Sequence, residues 1–117
     1  MNKVLNIAAA GEALTGLALL IVPSAVGQLL LGQDLVGVAI PVARVAGIAL
    51  IALGLACSPV APPIAMFVYN FAVMLYVAYL GFMGEFSGML LWPAVVAHAL
   101  LSILLGRALL AAPADSE

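Results

Sequence analysis

The chain has 117 residues, of which 68% are hydrophobic and 7% charged. Globular domains run at about 45–50% apolar and about 25% charged, and a chain this short has too little interior to hide the excess, so an ordinary soluble domain is excluded. Three Lys or Arg stand against five Asp or Glu, for a net charge of −2. That leaves no basic stripe to neutralise phosphates, which excludes nucleic-acid binding.

A bilayer must then act as the apolar solvent. One span takes about 20 apolar residues, and the roughly 80 apolar residues here fill four spans with short connections. The expected fold is all-α, an integral membrane four-helix bundle of antiparallel up-down topology, with residues 1–117 as one transmembrane domain. The first span covers 4–22 and ends at Pro23-Ser24. Lys3 ahead of an apolar run resembles a signal peptide, but Glu12 interrupts the run and no small-x-small cleavage site follows, so the segment reads as a retained span. Residues 24–36 form a connection in which Gln28-Leu29-Leu30-Leu31-Gly32 is apolar enough to lie flat in the interface before Asp34.

The second span covers 37–57, and residues 58–61 leave room only for a tight turn that makes spans two and three antiparallel neighbours. The third, 62–82, opens on Pro62-Pro63, where proline suits a first helical turn. Residues 84–88 read as a flexible polar loop, and span four covers 89–110. Trp92-Pro93 with Phe82 and Phe86 looks like an interfacial aromatic anchor. The polar tail, 113–117, is expected to be disordered. Helices are favoured over barrel strands because runs such as Ile48-Ala49-Leu50-Ile51-Ala52-Leu53 lack dyad alternation.

With four spans both termini share one face, which holds Lys3 and Arg107, whereas the other carries Asp34 and Glu85. The positive-inside rule places the termini in the cytoplasm.

Charges inside spans are costly and mark functional candidates. Glu12 lies about 12 Å in from the cytoplasmic side, and Arg44 about 20 Å from that side of a core about 30 Å thick. The offset of about 8 Å is bridgeable by an extended arginine and a glutamate, unless Arg44 snorkels to the outer interface. Asn70 falls level with Glu12, and His98 reaches nearly to the midplane with Ser102 one turn on. Each span thus contributes one strongly polar residue to a candidate intramembrane cluster of Glu12, Arg44, Asn70 and His98. Around Glu12 the helical neighbours Ala8, Ala9, Thr15 and Gly16 are small, allowing close approach; around Arg44 only Gly47 is small.

The cluster is either a binding or proton-handling site or a buried ion pair fixing helix register. His98 is a candidate metal, haem or quinone contact, against the plainer reading of a histidine hydrogen-bonded to Asn70, Glu12 or Ser102. One histidine cannot supply bis-His haem ligation within a subunit. Tyr69 and Tyr76 are a candidate pocket wall, against ordinary packing. A single Cys57 makes no intrachain disulfide and reads as a small hydrophobe. No catalytic motif or metal signature is present, and no cofactor is expected.

Gly16-Leu17-Ala18-Leu19-Leu20-Ile21-Val22-Pro23, followed after a short loop by Ala43-Arg44-Val45-Ala46-Gly47-Ile48-Ala49-Leu50, resembles small bacterial four-helix membrane proteins of the broad DoxX-like kind. The resemblance covers the first half of the chain. It implies a four-helix bundle and, for some members, service as the membrane subunit of a redox complex at the quinone pool. The leading expectation is an accessory or anchoring subunit, with a protein partner or further copies of itself in the bilayer. An oligomeric transporter or binding protein for a small apolar or weakly acidic molecule is the alternative, and an enzyme ranks behind both.

Overall fold

A computed structural model describes residues 3–58, 62–86 and 88–111. The elements in chain order are α1 (Lys3–Ile21), α2 (Pro23–Leu31), α3 (Ala39–Ala56), α4 (Pro62–Met83) and α5 (Leu91–Ala111), with no strand among the described residues. α1, α3, α4 and α5 are each long and apolar enough to cross a membrane, so the chain is an all-α, multi-pass membrane protein. The turn at 58–61 and the tail at 113–117 lie wholly or mainly outside the described residues. The helices divide between two units, residues 1–61 and 62–117.

In the first unit α1 and α3 run antiparallel along a seam of small residues. Gly16 faces Gly47 so closely that a Cβ on either would stand 2.5 Å from the other's carbonyl oxygen. One end of the seam is closed by Gly54, where a Cβ would lie 2.8 Å from the Ala9 oxygen. Ala9, Gly16, Gly47, Ile48, Ala52 and Gly54 are the buried residues of this interface. In lipid, where leucine gains nothing by leaving the solvent, such backbone-to-backbone approach is what holds helices together.

The connection expected at 24–36 contains a helix of its own. Pro23 cannot donate to the α1 ladder, so it ends that helix, and its fixed φ starts the next one at N1. α2 stops at Gly32, whose φ of 75° supplies the left-handed cap and whose N–H bonds the Gln28 oxygen. Ser24 Oγ donates to the Leu35 oxygen at 2.9 Å, folding the following loop back over Gly27. Leu29, Leu30 and Leu31, which end α2, are all exposed, so apolar side chains fan around its last turn.

In the second unit α4 and α5 are an antiparallel pair. Ala65, Asn70 and Val73 of α4 and Ser102 of α5 are buried. At one end Gly81 admits the Trp92 ring, which meets Phe82 in a T-shaped contact with centroids 5.1 Å apart, so these two aromatic residues of α4 and α5 pack together. Large apolar side chains such as Leu14, Leu75, Val96 and Leu104 face outward in both units, the inverse of a water-soluble surface and the normal state of one solvated by lipid.

Candidate functional site

The polar residues of the spans have separate partners. Arg44 Nε donates to the Leu20 oxygen at 3.2 Å. Leu20 is the penultimate residue of α1, and its i+4 donor, the Ser24 N–H, lies in the next helix that Pro23 begins, so the carbonyl has no partner within α1. A guanidinium at this end also meets the negative pole of the helix dipole. Arg44 therefore caps α1.

The same register separates Arg44 from Glu12. With Gly16 opposite Gly47, Arg44 falls level with Leu20, eight residues and about 12 Å along α1 from Glu12. The pairing that depth alone allows is not formed. Glu12 is half-buried and makes no hydrogen bond or ion pair among the described residues. Depth arithmetic assumes where each span starts; the glycine contact, which sets the true register, leaves a larger offset than the 8 Å expected.

Asn70 and His98 do meet. Asn70 is 2% exposed, its Nδ2 donates to the Met66 oxygen at 2.9 Å, and its Oδ1 lies 2.8 Å from His98 Nδ1. Ser102 does not bond the imidazole: its Oγ donates instead to the His98 backbone oxygen at 2.8 Å, one turn back. A polar link thus crosses from α4 to α5 in the middle of both helices, and the plainer reading of His98 as a partner of Asn70 accounts for Nδ1.

Tyr69 and the His98 imidazole meet in a T-shaped contact, with centroids 6.1 Å apart and planes at 75°. Tyr76 stacks on Tyr79 at 6.3 Å. A groove of about 470 Å³ runs along the pair on its other aromatic set, past Phe67, Phe71, Met74 and Gly106 to Arg107; neither Tyr69 nor Tyr76 lines it. In the first unit a smaller groove of about 300 Å³ is lined by Asn6, Ala9, Ala13, Ile51 and Gly54, with Glu12 outside it. Sequence reasoning overlooked this Asn6 groove and the one beside Phe67. A run of small residues in α1 and paired phenylalanines one turn apart in α4 were the available signals.

No three His, Cys, Asp or Glu side chains converge among the described residues, and Cys57 is a half-buried free thiol at the end of α3. What the two units offer chemically is a capped helix end, an unpaired carboxyl and an amide-anchored imidazole. No known protein family, curated protein or solved structure matches the chain.

Proposed function

We propose that this protein is an accessory or anchoring subunit of a complex in a bacterial inner membrane, with both termini cytoplasmic and a working place at the quinone pool. The observation that carries the reading is where the span polar groups are directed. Arg44, Asn70 and Ser102 are all turned onto backbone carbonyls of the chain itself, while the outward surface is apolar. Such a surface suits contact with lipid and with other helices, and the polar groups are spent on the fold itself: Arg44 joins α3 to α1, while the backbone bonds of Asn70 and Ser102 stay within α4 and α5. Lys3 at the start of α1 and Arg107 in the C-terminal part of α5, against Asp34 and Glu85 in the loops, support the orientation. Purification in a mild detergent should recover the chain within a larger stoichiometric assembly; a stable, partner-free monomer overturns the proposal.

Glu12 favours a second reading. A half-buried carboxyl in a span without an ion pair or hydrogen bond among the described residues is suited to coupling protons to uptake of a small weakly acidic molecule by an oligomer. Uptake into proteoliposomes that is unchanged by Glu12→Gln removes that coupling role.

A further inference from the structure

The groove of about 470 Å³ in the second unit is apolar along most of its length and charged at one end. On α5 its lining residues Ala99, Ile103, Gly106, Arg107 and Leu110 share one helical face. From Ala99 to Leu110 that face runs about 16 Å, half of a hydrocarbon core about 30 Å thick. α4 contributes Phe67, Phe71 and Met74, and the two phenylalanine rings stack with centroids 5.7 Å apart and planes at 8°. Gly106 brings no side chain to meet them; a Cβ there would stand 3.3 Å from the Phe67 ring.

Arg107 is the only charged residue of this lining. It is exposed and makes no ion pair or hydrogen bond among the described residues. Four residues, about 6 Å, separate it from Ala111 at the end of α5, so its long side chain reaches the level of the lipid headgroups. Ala99 lies eight residues, about 12 Å, deeper. Ser102, the other polar residue of the lining, already donates its hydroxyl to the His98 oxygen. What fits this arrangement is an anion at headgroup level continued inward by a slender apolar chain. A second helix fits less well, because helices associate in lipid through small residues and the three α4 residues here are bulky.

We propose that this groove binds an anionic phospholipid, its phosphate on the Arg107 guanidinium and one acyl chain along Phe67, Phe71 and Met74. A guanidinium matches two phosphate oxygens at once, which fixes the headgroup end. A zwitterionic lipid carries the same phosphate with its own ammonium beside it, so its net attraction to Arg107 is weaker. One arginine near the membrane surface then favours the anionic lipid about fivefold. The site needs no protein partner and is independent of the subunit reading.

Photolabelling of the full chain tests it. The protein is placed in phosphatidylcholine nanodiscs with a trace of phosphatidylglycerol that carries a diazirine in its acyl chain, irradiated, and mapped by peptide mass spectrometry. Label should concentrate on Phe71, Met74 and Ile103, and unlabelled phosphatidylglycerol should compete about fivefold better than phosphatidylcholine. Arg107→Gln should bring the two lipids to parity, whereas Arg107→Lys, which keeps the charge, should retain the preference. Ala99→Phe, which fills the deep end, should drive label out of the groove with Arg107 intact. The emission of Trp92, at the other end of the helix pair, checks that each variant keeps its packing. Label spread evenly over the outward faces of α4 and α5, equal competition by the two lipids, or a preference that survives Arg107→Gln overturns the site.

Discussion

Replacing Gly16 with alanine adds one methyl group to the α1–α3 seam, and the structure fixes what that methyl meets. The new Cβ would lie 2.5 Å from the Gly47 oxygen and 2.9 Å from the Ile51 nitrogen, both backbone atoms. Ordinary contact begins at 3.4 Å, so the helices must part by about 1 Å along their closest line. Overpacking of this kind costs about 1–3 kcal/mol, and rigid backbone on the far side puts the cost near the top of the range. Alanine recovers about 1 kcal/mol as the better helix former, leaving a net loss of about 2 kcal/mol, a roughly thirtyfold shift toward parted helices. Gly11, in the same helix, is the control: a Cβ there has nothing within 4 Å, so Gly11→Ala should be neutral or stabilise by up to about 1 kcal/mol. A fluorophore on the single Cys57, at the end of α3, can report separation of the pair as SDS is titrated into mild-detergent micelles. Gly16→Ala should lower the SDS midpoint and Gly11→Ala should not. Equal midpoints for the two variants would refute the seam.

The remaining predictions use the same titration. Arg44→Met should destabilise the α1–α3 pair by about 1.5–3 kcal/mol, because it strands the Leu20 carbonyl, and the loss should add to that of Glu12→Gln within about 0.5 kcal/mol. A double-mutant coupling above about 1.5 kcal/mol would show that the two charges pair after all. At the other unit, a Cβ on Gly81 would lie 2.6 Å from the Trp92 ring, so Gly81→Ala should push the indole outward. The emission of this single tryptophan should change, and an unaltered spectrum counts against the packing of the aromatic end.

Span positions are legible in the sequence for a physical reason. Apolar runs about one bilayer long, broken by Pro23, by Pro62-Pro63 and by the loop glycines, bound helices to within about two residues because nothing else is stable in hydrocarbon. The extra helix α2 is less legible, since Pro23 is at once a stop for one helix and a start for the next. Its partner in the fold, the Ser24 hydroxyl on the Leu35 oxygen, links residues that no periodicity connects.

The polar residues show where such reading ends. Hydropathy identifies Glu12, Arg44, Asn70 and His98 as costly, and cost suggests that opposite charges meet. Yet the acceptor Arg44 finds is a backbone carbonyl, a group every residue carries and no sequence marks. What selects Leu20 is the combination of a proline three residues later and a glycine contact that sets the register. Both glycines are visible in the sequence as small neighbours, one of Glu12 and one of Arg44; their meeting each other is a tertiary fact. That meeting places Arg44 at the end of α1 and leaves Glu12 about 12 Å away. Asn70 and His98 are the easier case, because two uncharged groups near the middle of adjacent helices satisfy each other directly. The chemistry still open to a ligand is therefore what this bonding leaves over: the Glu12 carboxyl in one unit, and the Arg107 guanidinium in the other.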